Sequence, residues 1–272
     1  MNSMPHVYDQ LKQRQQRMWS AGDFSMVATP TTIVGERLCE SVDLRAGQRV
    51  LDIATGSGNT ALAAARRYCD VVGVDFVPAL LDRARERAAA ERLDIEFREA
   101  DAEALPFPDA SFDAILSTFG VMFAPDQAKA AEELLRVCRP GGKIGLTTWP
   151  PQGFIFELQR TSARYSPPPP EGFQPPVLWG TETRLRELLG KGVSSLSLTR
   201  QMLVMRHSSI EEWLRFTRSY FGPVRQLVES LDAERQRAVT GEVADLARRH
   251  NQSGDKTMAV PTEYVEVVAV RH

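Results

Sequence analysis

Cysteine and histidine are scarce in this chain of 272 residues, with three of the first and four of the second. Cys39, Cys69 and Cys138 stand far apart, without metal-ligand spacing and without the even number a disulfide framework needs. They read as small buried packing residues. His6, His207 and His250 lie near the ends of expected elements and His272 closes the chain, so each reads as a solvated surface histidine before a catalyst. Charge of one sign is also missing: 33 basic and 35 acidic residues nearly cancel. Neither nucleic acid nor an anionic membrane is therefore an expected partner. No apolar run approaches the ~18 residues of a membrane helix, and the start has no signal-peptide core, so a cytoplasmic protein is expected. There is no internal repeat.

What is present suits one α/β enzyme domain, since a hydrophobic content of 43% in a chain of this length can bury a sizeable core. Three stretches differ in texture. Residues 1–44 read as helical, with Trp19, Phe24 and Met26 as apolar anchors. Residues 45–150 alternate strand and helix patterns, which implies a parallel sheet covered by helices on both faces. Residues 151–272 break that rhythm and decorate the same domain.

The most informative run is Val50-Leu51-Asp52-Ile53-Ala54-Thr55-Gly56-Ser57-Gly58-Asn59-Thr60. An apolar strand reaches an acid, a glycine-rich turn and an alanine-rich helix start, the opening of a nucleotide-binding βαβ unit. Val71 to Asp75 reads as the next strand, and Asp75 follows the glycines by roughly 20 residues, as an acid holding ribose hydroxyls does. A dinucleotide places its pyrophosphate at the helix N-terminus. Asp52, at the mouth of the first strand, would repel that group and suits a ligand with a cationic end.

At this point the chain resembles the class I, seven-stranded S-adenosylmethionine-dependent methyltransferases, whose acid, three residues and Gly-x-Gly are met by Asp52, Gly56 and Gly58. Ala54 stands where many members have another glycine. The resemblance continues over 45–150, through the strand ending in Asp101-Ala102, the loop Leu105 to Asp113 and the Arg139-Pro140-Gly141-Gly142 stop before Lys143 to Trp149. It implies a Rossmann-like, doubly wound α/β fold with a seven-stranded sheet, mostly parallel with the last strand antiparallel. S-adenosyl-L-methionine is the implied cofactor. Its methionine moiety would lie on the loop Asp52, Ala54, Thr55, Gly56, Ser57, Gly58 and Asn59, its ribose on Asp75, and its adenine on Asp101 and Ala102 with the Phe76 ring. Ser117 and Phe119 would border it from the fourth strand. In such proteins a segment like 1–44 covers the cofactor and helps close the site.

Phe119-Gly120 resembles the ubiquinone/menaquinone-biosynthesis C-methyltransferases, which continue with an Arg-Asn pair where this chain has Met122-Phe123. The expected acceptor is a small molecule, taken by Trp19, Met122, Phe123, Trp149 and Trp179, with the catalytic group unassigned. The proline-rich stretch 166–176 cannot be helical and is read as a connector or a lid. Beyond it the pattern predicts strands at 195–205 and 263–270 and helices at 210–231 and 233–250. A homodimer is left open. The alternatives are a nicotinamide-dependent oxidoreductase, a nucleic-acid methyltransferase, and a partner subunit that binds S-adenosylmethionine without turning it over.

Overall fold

A computed structural model describes residues 4–272, with side chains from Tyr8 onward. Three helices come first: α1 (Met4–Ser20), α2 (Phe24–Ala28) and α3 (Thr32–Val42). Strands and helices then alternate as β1 (Arg49–Ile53), α4 (Asn59–Ala65), β2 (Asp70–Asp75), α5 (Pro78–Glu91), β3 (Glu96–Glu99), β4 (Phe112–Thr118), α6 (Gln127–Val137) and β5 (Cys138–Thr148). The rest is α7 (Gly153–Ala163), α8 (Glu182–Leu189), β6 (Val193–His207), α9 (Ile210–Tyr220), α10 (Gly222–Glu229), α11 (Ala233–His250) and β7 (Met258–Arg271).

The strands form a single seven-stranded sheet in the order β3-β2-β1-β4-β5-β7-β6. β1 to β5 run parallel, and β7 inserts beside β5 antiparallel to both of its neighbours. The expected seven-stranded, mostly parallel sheet is what the chain adopts. Chain order reverses between β1 and β4, so the crevice for a ligand opens at their carboxyl ends.

Alternation along β1 sorts its side chains between the two faces. Leu51 and Ile53 join a core with α6, α8 and Trp179, while Val50 packs with α3, α4 and α5. Every residue of α4 is buried, because its alanines let the helix lie close on the sheet. α6 starts where the Asp126 carboxylate caps the Lys129 amide at 3.0 Å.

Three local expectations shift. The Arg139–Gly142 turn is absorbed into β5 as an irregularity, with Phe112 opposite Cys138 and Ala114 opposite Lys143. The last two strands are longer than expected, because their pairing runs on beyond the sheet to His207 opposite Met258. The single helix expected over 210–231 is two. Pro223 has no amide to donate and its ring crowds the preceding turn, so α9 ends and α10 starts afresh.

The helices of the last third gather a satellite core of Phe154, Ile210, Trp213, Leu246, Met258 and Val260. The aromatics Trp213 and Phe154 are thus packing residues. The proline-rich segment ends fastened to α6, where the Gln127 side-chain amide donates to the Gln174 carbonyl at 3.1 Å.

Candidate active site

The turn after β1 is a backbone device. Its residues Ala54, Gly56 and Gly58 all take positive φ, at 52°, 56° and 87°. A Cβ on Gly58 would besides press on its neighbours, 2.7 Å from Leu62 Cδ1 and 3.2 Å from the Ala84 methyl. The Thr55 amide donates to the Val74 carbonyl at 2.9 Å, which ties the turn to β2.

Two buried acids flank this turn. Asp75 Oδ2 accepts the Gly56 amide at 2.9 Å and Oδ1 the Val77 amide at 3.0 Å. Asp52 Oδ2 accepts the Thr55 hydroxyl at 2.6 Å and the Ala61 amide at 2.9 Å. Asp52 Oδ1 is buried and has no partner. Burial pushes the Asp52 carboxyl up to about 7, against the Thr55 and Ala61 bonds and with a further push from Asp75. Burial likewise takes Asp75 up to about 6, against the amides that bond it. An unpartnered buried carboxylate oxygen fits a cationic group and rejects a phosphate, so the residues present suit S-adenosylmethionine rather than a dinucleotide.

At the end of β3, Asp101 Oδ1 accepts the Glu103 amide at 2.9 Å. Lys12 reaches down from α1 and bridges Asp101 Oδ2 at 2.6 Å and Glu103 Oε2 at 2.5 Å. Ala102 packs against the core beside them. From the next turn of α1, Gln15 donates to the Phe123 carbonyl at 2.9 Å and Gln16 to the Phe76 carbonyl at 2.6 Å. Lys12, Gln15, Gln16 and Trp19 share one helix face by their three- and four-residue spacing. That polar stripe was visible in the sequence, but its destination was not.

The strand end of β4 divides into a framework part and an open part. The Ser117 hydroxyl donates to the Ile53 carbonyl at 2.7 Å and accepts the Val121 amide at 2.9 Å, so it binds β4 to β1. Asn59 donates to the Ala28 carbonyl at 2.8 Å and so holds the amino-terminal segment to the start of α4. Phe119, at φ 52°, stacks flat on Trp149 with ring centroids 3.8 Å apart. Trp19 and Phe123 meet edge to face at 5.5 Å. These four rings are half-buried. Met122 and Trp179 are placed elsewhere: both are fully buried in the core with Ile144 and Leu146, and line no opening. Their spacing told of apolar residues near the site but not of the side on which they would be buried.

None of the histidines described by side chain bonds to these residues. His250 Nε2 sits 3.1 Å from Glu157 at the edge of the satellite core, His207 packs on Phe216, and the His272 amide donates to Gly192. The side chain of His6 lies outside the described residues.

Known proteins resemble this chain in sequence and in fold. Residues 50–142 match the profile of a family described as a methyltransferase domain. An uncharacterized protein of Mycobacterium tuberculosis is 38% identical over 254 residues, covering 90% of this chain and 93% of that one. A demethylmenaquinone methyltransferase of Deinococcus radiodurans is 46% identical over 118 residues, 41% of this chain and 49% of that protein. Among solved structures, the YcgJ protein of the genus Bacillus shares the fold with a TM-score of 0.59 at 20% identity, covering 88% of this chain and 98% of that one.

Proposed function

The chain belongs to the class I S-adenosylmethionine-dependent methyltransferases and methylates a small molecule, and we propose how its residues divide that work. Asp75 holds the ribose hydroxyls, and Asp101 with Ala102 and the Phe76 ring holds the adenine. The turn from Asp52 to Asn59 holds the methionine moiety, with Asp52 facing its cationic end. The observation that carries this reading is the pair of buried acids, Asp52 and Asp75, one on each side of a turn whose glycines take positive φ.

Bound there, S-adenosylmethionine supplies a methyl group activated by its sulfonium. The chain's own task is to orient and to exclude water, because proximity and alignment provide much of the rate in such a displacement. Ser117 keeps the ends of β1 and β4 in register, and α1 covers the cradle through Lys12, Gln15 and Gln16. A general base is required only when the acceptor must lose a proton.

The acceptor we propose is a flat, largely apolar ring compound. The Phe119–Trp149 stack and the Trp19–Phe123 pair support it, since such faces favour offset stacking with another ring. The relative named as a demethylmenaquinone methyltransferase points the same way. The near-balanced charge of the chain favours such a molecule over nucleic acid, whose binding rests on cationic contacts to phosphate. The cytoplasm, where S-adenosylmethionine circulates, is the compartment that this cofactor supports.

Titration calorimetry with S-adenosylmethionine, S-adenosylhomocysteine and NAD tests the cofactor assignment. Micromolar binding of the adenosyl ligands with none of NAD is expected, and NAD binding alone would overturn it. Formation of S-adenosylhomocysteine is then followed with phenols and hydroquinones against alkylamines. Turnover confined to the amines would reject the ring acceptor.

A further inference from the structure

Two glycines remote from the cofactor turn have no room for a side chain. A Cβ on Gly22 would overlap the Tyr220 carbonyl oxygen, and one on Gly222 would overlap the Met18 carbonyl oxygen. The contact is reciprocal: the corner between α1 and α2 and the corner between α9 and α10 each push a peptide into the other's glycine. The Asp23 amide donates to the Tyr220 carbonyl at 3.1 Å, and the Gln226 side-chain amide donates to the Arg17 carbonyl at 3.1 Å. Backbone packed this closely moves as a unit, because sliding would force overlap or leave polar groups unpaired.

The interlock is joined to the cofactor turn by rings. Phe24 lies beside Gly56, its Cε1 3.7 Å from the position a Cβ would take there. Its ring centroid is 5.4 Å from that of Trp19 and 6.2 Å from that of Phe221, and Trp19 also reaches Phe221 at 5.8 Å. Trp19 in turn touches Phe123, on the proposed acceptor wall. The opposite flank of the corner is less filled. A pocket of about 310 Å³ separates Gly22 and Phe24 from Ala79 and Leu80 of α5, and across it Asp23 faces Arg83 at 3.6 Å.

We infer that the α1–α2 corner and the α9–α10 corner form one interlocked roof, through which a seated cofactor sets the position of α9 and α10. Phe24 is the positioning residue of this link. It senses the Gly56 turn on one side and holds Phe221 on the other. The inference rests on the cofactor reading given above and adds a coupling to it.

Hydrogen exchange with and without S-adenosylhomocysteine tests the coupling, with calorimetry on the same samples. In the wild-type chain the ligand should slow exchange in residues 8–28 and also in residues 213–229. Phe24→Ala should still bind the ligand but lose the response in 213–229, and should release the ligand roughly tenfold faster, since changes of this kind fall mostly on dissociation. Gly22→Ala should do the same. If that variant does not fold, Gln226→Ala loosens the same contact from the other corner. Wild-type binding without any response in 213–229, or a full response in Phe24→Ala, overturns the inference and leaves the cofactor reading intact. No calorimetric binding at all removes that reading, and the inference with it.

Discussion

Asp75 Oδ2 accepts the Gly56 amide at 2.9 Å, so the end of β2 holds the turn that follows β1. An acid at a strand end is therefore both a ligand group and a brace for the glycine loop. Its replacement acts on binding and on stability together. Asp75→Ala should weaken S-adenosylhomocysteine binding by about 1–3 kcal/mol and should also lower the melting temperature, because the Gly56 and Val77 amides lose their partner. Asp75→Asn, which keeps one acceptor oxygen, should retain part of both. Unchanged affinity in a folded Asp75→Ala protein would remove this strand end from the ribose site.

Stability should fall as pH rises toward neutrality. Burial holds the folded values for Asp52 and Asp75 at about 7 and about 6, both above the ordinary aspartate value of about 3.9. The folded chain therefore binds more protons than the unfolded one between those limits. The corresponding stability is complete below the unfolded value and is lost as pH rises through about 6 to 7. Asp52→Asn should flatten that decline in a series of thermal melts. A cation beside Asp52 favours its ionised form, so S-adenosylmethionine should release protons on binding near neutral pH. Calorimetry in buffers of different ionisation enthalpy reads this directly.

Lys12 joins α1 to two carboxylates that lie far along the chain. Lys12→Met leaves Glu103, with a side chain 3% exposed, without its counter-charge. The expected cost is about 1–3 kcal/mol by chemical denaturation. Glu103→Gln in the same background should restore part of it, since the uncompensated buried charge is then gone. Equal stability of the single and double variants would show that Glu103 finds another partner.

Trp179 separates a packing role from a binding role. Trp179→Ala should cost about 3–5 kcal/mol of stability, as large-to-small changes of buried aromatics do, with little change in cofactor affinity. Loss of binding in a variant that remains folded would place the indole nearer the site than its full burial implies.

Ala54 closes its turn at φ 52°, a conformation that costs an L-residue about 1–2 kcal/mol. Glycine removes that strain but adds freedom to the unfolded chain. Ala54→Gly should therefore stabilise the protein by ~1 kcal/mol or less, measured by thermal melting with affinity for S-adenosylhomocysteine followed alongside.

Much of the core was legible because its signals are local. The acid and glycines of Asp52–Gly58 define a turn, the apolar run Val71 to Val74 ending in Asp75 reads as a buried strand, and the break at Ser166–Pro176 excludes a helix, each from a few adjacent residues. The seven-stranded sheet with its reversed last strand came from the family resemblance that these units carry together, not from any one of them. Boundaries were less legible: the β6–β7 pairing runs to His207 and Met258 because the two strands support each other past the sheet, which neither predicts alone. The helix break at Phe221 needed the weight of Pro223 to be set against the apolar spacing around it.

The local order of chemistry, from Asp52 through Asp75 to Asp101, was determined by the sequence itself, because each group sits at the end of its own strand and needs no distant partner to be recognised. Only the tertiary structure decided which side of the sheet buries Met122 and Trp179, where Lys12 ends, and that Gly22 and Gly222 receive each other's corners. Those outcomes depend on segments roughly 100 to 200 residues apart meeting at contact distance, where close packing admits a glycine or a fully paired charge and little else.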